Sequence, residues 1–423
     1  MNSRPLRPTS LTEDTAHLQA VQPIRWAVIV LAFLAVVLDG FDTASMGLSI
    51  PALSAAWGVA PASFTTPLIA TNAGVVIGYI ACSRISAQLG LRLTLIGGTA
   101  IFAVGSALTA LSSEITMMAV ARLVTGFGLG AVLPSAVSLA TLGSSARTRE
   151  RLAVLVTMGL SAGALVAGLS GGKLAGAYGW QSIFWVGAIL PVALLPIMYF
   201  RIPNVRVTTD HDQRSNSGVA SLFAGGRTPS TLLLWAFAFL IFTTFYAFSS
   251  WLPTLLLHFG FSTSMAPLGA ASLGIGGILG ASMLIIFAGK FPTSRMLIVA
   301  GALAIAFLML VSFITPGPVL LLLLFTGVGA GLASSMVGQA AVAVSAYSEA
   351  SRTAGVGWAA ALGRVGSIVG PAAGGLMLAT GQSAQAVVAA SCVPVVMAVV
   401  VMALLARRIA GQARAEGADV SAG

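Results

Sequence analysis

The sequence predicts an all-α polytopic membrane protein of twelve transmembrane helices in two pseudo-symmetric six-helix halves. Three observations point there. Of 423 residues, 57% are hydrophobic and only 8% charged, against about 25% charged in soluble proteins. The apolar residues run in stretches of about twenty, the length that crosses a bilayer. The glycine pattern of the first half returns in the second at a fixed interval. So little charge cannot cover a soluble surface, which excludes a soluble globular enzyme. So much apolar content also excludes disorder.

The apolar segments fall at about 26–50, 63–86, 93–112, 116–141, 152–177, 180–200, 230–256, 264–288, 294–314, 318–345, 353–379 and 383–406. Their ends carry the usual margin of two to four residues. Residues 1–25 are polar and do not have the pattern of a cleaved signal peptide. Segments one to six make a bundle over 26–200. Residues 201–229 hold Arg201, Arg206, Asp210, His211, Asp212, Arg214 and Arg227 among Ser, Thr and Gly, the composition of a solvated linker. A second bundle covers 230–406, and 407–423 is a tail.

Basic residues set the orientation. With the N-terminus cytoplasmic, 18 of the 21 Lys and Arg fall inside, only Lys173 outside, and Arg122 and Arg364 within spans. Cytoplasmic loops collect Lys and Arg, so both termini are expected in the cytoplasm. The same bias accounts for the net charge of +10. No basic cluster interleaved with aromatics is present, and a nucleic-acid partner is not expected.

A shift of 203 residues tests for the repeat. Gly74 then meets Gly277, Gly126 meets Gly329, Gly128 meets Gly331, Gly163 meets Gly366, and Arg92 meets Arg295. Seven of the 21 glycines in 26–200 find a partner, several times what chance gives. Two parallel six-helix halves with a cytoplasmic linker describe the major facilitator architecture, whose substrate site lies between the halves near the midplane.

Charges within the spans are rare, expensive and usually functional. Asp39 and Asp42 lie three residues apart in the first span and share a helix face. Their repulsion favours a proton on one of them, as a proton carrier requires; a helix cap or a structural bond around Gly40 is the plainer alternative. Asp39 lies about 20 Å beyond Trp26. Arg122 lies about 9 Å from the outer end of its span. In a core about 30 Å thick these depths nearly coincide, so Arg122 is expected to pair with Asp39 or Asp42. Arg364 is near the midplane of the eleventh span. The 203 shift maps it onto Ser161, and maps the two acids onto Phe242 and Phe245. Acids thus belong to the first half alone and the midplane arginine to the second. That suggests proton handling in one half and anion binding in the other, since guanidinium grips a carboxylate through two parallel bonds.

Phe242, Phe245 and Tyr246 share a face of the seventh span and are candidates for stacking on a flat substrate; lipid-facing bulk is the plainer alternative. Cys82 and Cys392 lie in apolar runs outside any CxxC and are expected to be reduced core residues. The three histidines are too scattered for a metal site. No HExxH, nucleotide loop or nucleophile–histidine arrangement is present. No cofactor, metal or enzymatic activity is expected.

The chain resembles the aromatic acid:proton symporters of the major facilitator superfamily over nearly all of 26–406. The most specific piece is Leu38-Asp39-Gly40-Phe41-Asp42-Thr43. Arg122-Leu123-Val124-Thr125-Gly126-Phe127-Gly128, Gly179-Trp180-Gln181-Ser182, Trp251-Leu252-Pro253-Thr254, and Arg352-Thr353-Ala354-Gly355 followed by Gly363-Arg364 also fit. The resemblance implies proton-coupled uptake of benzoate-like or hydroxybenzoate-like acids across a bacterial inner membrane. It also implies that Asp39, Asp42, Arg122 and Arg364 are needed for transport. A monomer is expected.

The sequence departs from the superfamily in the loop between spans two and three, which looks like the inner gate latch of relatives. Ala87 and Gln88 replace the usual Asp and Arg, while Arg92 remains. Arg92 and Arg352 are the candidate gating residues. The alternative function is a proton-coupled exporter of drugs or metabolites, since one fold serves both directions.

Overall fold

The computed structural model describes residues 26–203, 205, 222–223, 227–287, 289–314, 317–347 and 349–422, with side chains omitted at 146–147, 349–350, 352–354 and 412–422. The 1–25 tail, most of the 201–229 linker and the Arg352 side chain lie outside the described residues. Among these residues, twelve helices are long and apolar enough to cross a membrane. They are α1 (Trp26–Trp57), α2 (Thr65–Leu89), α3 (Leu91–Ala110), α4 (Ile115–Thr141), α5 (Ala146–Tyr178) and α6 (Gln181–Arg201), then α7 (Thr228–His258), α8 (Leu268–Phe287), α9 (Thr293–Phe313), α10 (Pro318–Ala346), α11 (Glu349–Ala379) and α12 (Ala384–Ala422).

Most of these helices end within a few residues of the apolar segments. Two overrun them. α1 continues through Pro51 to Trp57, and α12 continues into the polar tail. Backbone bonding carries α12 on into polar sequence, whereas α1 passes through Pro51 into a stretch that is still largely apolar. Turns between helices are short. Gly90, at φ +86°, closes α2 with a bond from its N–H to Ser86 O at 2.9 Å, and α3 starts at the next residue. Side chains rarely adopt this left-handed backbone, and glycine does so freely.

Within the first half, α1 packs on α4, α5 and α6, α2 on α4, and α3 on α4 and α6. The second half repeats each contact: α7 on α10, α11 and α12, α8 on α10, and α9 on α10 and α12. The halves meet through α1 on α7, α2 on α11 and α5 on α8. This is the pseudo-two-fold relationship that the glycine repeat foretells.

Small residues set how closely helices approach. A Cβ on Gly40 would collide with the Leu160 backbone of α5, and one on Gly163 with the Val37 carbonyl of α1. The halves also touch through glycine. Gly47 faces the carbonyls of Ser249 and Ser250, Gly168 faces Ala271 and Pro267, and Gly375 faces Thr65. All three contacts lie toward the end of the bundle away from Trp26 and α12's end. Toward the end that carries them, a crevice of about 430 Å³ separates α5, at Glu150, Arg151 and Val154, from Leu284, Thr293 and Val337 of the second half. The halves thus touch closely toward one end and are separated by a crevice toward the other.

Candidate functional site

At mid-depth α1 carries both acids, and each has a separate environment. Asp42 is fully buried. Arg122 of α4, also fully buried, grips it as a fork, with Nη2 at 2.9 Å from Oδ2 and Nη1 donating to Oδ1 at 3.2 Å. Ser106 of α3 also donates to Oδ1. Arg122 Nε donates to Thr71 Oγ1 of α2 at 3.0 Å, and the guanidinium lies 5.9 Å from the centre of the Phe184 ring of α6. One ion pair thus ties together five helices of the first half. Of the two partners allowed by depth, Arg122 takes Asp42.

Asp39 is turned toward the other half. It accepts a bond from Thr43 Oγ1 at 3.3 Å and lines a cavity between the halves, together with Arg364 of α11 and Tyr246 of α7. Arg364 Nη1 donates to the Tyr246 hydroxyl at 2.9 Å, and its guanidinium lies 5.8 Å from the Tyr79 ring of α2. Asp39 and Arg364 attract one another across this space. Charges in a low-dielectric interior interact strongly, and Arg122, already paired with Asp42, also lines the cavity. Met46, Leu68, Val75 and Leu160 supply apolar wall. The free volume is about 30 Å³, room for about two waters. An organic substrate fits only when the halves part further.

Tyr246 is the one aromatic candidate that reaches the cavity. Phe242 stacks behind it, with ring centres 6.1 Å apart and planes at 22°, and packs against Gly363. Phe245 meets Tyr246 edge-on at 5.6 Å. Both support the tyrosine ring, and neither is part of the lining. Arg92 stays within the first half. It donates to the carbonyls of Tyr199 at 3.4 Å and Ile202 at 3.5 Å, and its guanidinium sits 5.0 Å from the Tyr199 ring centre. Cys82 and Cys392 are buried and unbridged. Among the described residues no cluster of His, Cys, Asp or Glu is arranged to hold a metal.

Several site residues escape the sequence reasoning: Thr71, Asn72, Tyr79, Ser106, Ser249 and Ser250. The adjacent pair Thr71-Asn72 stands in the apolar run of α2 and is a visible signal. Ser106 has none, since one serine in a span is ordinary.

Paired helical halves, an intramembrane ion pair and a charged cavity at their junction are the parts of a membrane transporter. Residues 32–338 match the Major Facilitator Superfamily. The 3-(3-hydroxy-phenyl)propionate transporter of Escherichia coli is 32% identical over 89% of this chain and 93% of its own. The 4-hydroxybenzoate transporter PcaK of Pseudomonas aeruginosa is 27% identical over 90% of this chain and 92% of its own. Among solved structures, a D-xylose-proton symporter superposes with a TM-score of 0.73 at 17% identity, covering 90% of this chain and 97% of the other. The chain belongs to the major facilitator superfamily. It is a multi-pass membrane transporter whose relatives are aromatic acid transporters.

Proposed function

We propose that the protein imports a small aromatic carboxylate, benzoate-like or hydroxybenzoate-like, by proton symport with alternating access. It does so in a bacterial inner membrane, with both termini cytoplasmic. The supporting observation is the Asp39–Arg364 couple facing the cavity from opposite halves. Relatives named for aromatic acids agree with it, as do the 18 of 21 basic residues on the terminal side.

The chemistry follows from one guanidinium and two carboxylates. In the empty site Arg364 is balanced by Asp39. An incoming carboxylate competes for the same charge, and two anions beside one cation repel. A proton on Asp39 removes the conflict and frees Arg364 to grip the substrate through its fork. Binding of anion and proton is thereby coupled one to one at this site. Asp42 and Arg122, held by Ser106 and Thr71, keep α1 in register so that Asp39 is presented to the cavity. Arg92 and Arg352 act in gating at the cytoplasmic end, which in this orientation is the parted one.

An anion entering an inside-negative cell works against about 2.3 kcal/mol per 100 mV. One proton cancels that charge. The test is uptake of labelled 4-hydroxybenzoate into proteoliposomes with pH gradient and voltage set separately. An acid-outside gradient should drive accumulation and a protonophore should stop it. Uptake indifferent to the pH gradient, or dependent on sodium, rejects the symport mechanism.

A further inference from the structure

The cavity has two poles of different chemistry. Asp39, Arg364 and the Tyr246 hydroxyl form the charged one. The other is polar, built from the neutral side chains of Asn72 of α2 and Ser249 and Ser250 of α7, with Arg122, whose charge is paired with Asp42, also in the lining. Ser250 lies four residues past Tyr246, about 6 Å along the helix axis, close to the span between a carboxylate and a para substituent across a benzene ring. Met46, Leu68 and Val75 give the same cavity apolar lining.

The second pole has spare hydrogen-bonding capacity. Asn72 is only 6% exposed. Its Nδ2 donates to Leu68 O at 2.9 Å, which leaves the Oδ1 acceptor without a protein partner among the described residues. Ser250 is 5% exposed, and its hydroxyl and that of Ser249 likewise have no side-chain bond among those residues. Buried polar groups are normally satisfied. The two buried ones, Asn72 and Ser250, with half-buried Ser249 beside them, mark a place where a ligand or water completes them.

Resting on the proposal that the site takes an aromatic carboxylate, we infer that Asn72, Ser249 and Ser250 recognise a ring hydroxyl, so that the protein selects hydroxylated aromatic acids over unsubstituted ones. The phenolic O–H donates to Asn72 Oδ1, and a serine hydroxyl donates to the phenolic oxygen. A site built to bond a substrate hydroxyl discriminates against the analogue lacking it, because its own groups are then left unpaired.

The experiment measures kcat/KM for benzoate, 3-hydroxybenzoate and 4-hydroxybenzoate in proteoliposomes of the full chain. It compares the wild type with Asn72→Leu and with the milder Ser250→Ala. A hydroxylated acid should exceed benzoate by about tenfold or more, the worth of a well-made hydrogen bond. Either substitution should shrink that ratio several-fold. The ratio is internal to each variant, so reduced expression or partial misfolding does not imitate the result. Benzoate carried as well as both hydroxylated acids overturns this inference alone, as does a preference unchanged in both variants. A wild type that carries none of the three overturns the transport proposal with it.

Discussion

Asp39 and Asp42 sit one turn apart on α1 and look into different surroundings. Asp42 is locked by Arg122 and Ser106 inside the first half, while Asp39 faces Arg364 of the second across the cavity. One helical turn thus separates a carboxylate paired inside one half from one that faces the other half. Distinct outcomes follow when each is altered.

Removing Arg122 leaves Asp42 buried without its counter-charge. Loss of one partner of a buried pair costs about 3–5 kcal/mol. Arg122→Ala should lower the unfolding temperature in detergent markedly, and Asp42→Asn somewhat less. Thermal unfolding of the purified variants checks this. Unchanged melting in both would show that the pair does not hold the first half together.

Asp39→Asn keeps the shape and removes the titrating group. Accumulation driven by a pH gradient should vanish, while exchange of labelled for unlabelled substrate at equal pH persists. Exchange needs substrate binding and helix movement but no net proton transfer. An uncoupler-sensitive gradient that still forms in this variant would exclude Asp39 as the proton carrier.

Arg364→Lys retains a positive charge and loses the planar fork. The apparent KM for the carboxylate should rise tenfold or more, equivalent to about 1.4 kcal/mol. Tyr246→Phe removes the hydroxyl that steadies Arg364 and should produce a smaller rise. Calorimetric titration reads both, and unchanged affinity in the lysine variant would remove Arg364 from the substrate site.

Glycine substitutions separate packing from chemistry. A Cβ on Gly40 meets the Leu160 backbone, whereas one on Gly97 meets nothing within 4 Å. Gly40→Ala should force α1 from α5 and abolish transport, and Gly97→Ala should leave uptake near wild type. Equal activity of the two would mean that α1 and α5 are not closely coupled.

The twelve spans are legible because a bilayer imposes length and apolarity on a segment whatever its neighbours. The charged residues of the site are legible for the same reason, since lipid makes Asp39, Asp42, Arg122 and Arg364 conspicuous. Which acid Arg122 takes is not legible: depth alone leaves Asp39 and Asp42 equivalent, and the rotation of α1 toward α4 decides. Phe242 and Phe245 share Tyr246's helix face in projection, yet only the tyrosine reaches the cavity, because Gly363 lets α11 lie against Phe242. Neutral groups such as Ser106 and Ser250 gain their meaning only from what stands opposite them.

The contact between the halves at the end away from Trp26 is made by glycines, Gly47 and Gly168 against backbone and Gly375 against the Thr65 side chain. The Arg122–Asp42 ion pair lies inside the first half, and none of these three contacts involves a charged side chain. Dissolved salt weakens attraction between exposed charges, and it finds little to act on in such a closure. The hold of the halves on one another at that end is therefore governed by how well small surfaces mate, and it should change little between dilute and saline solution.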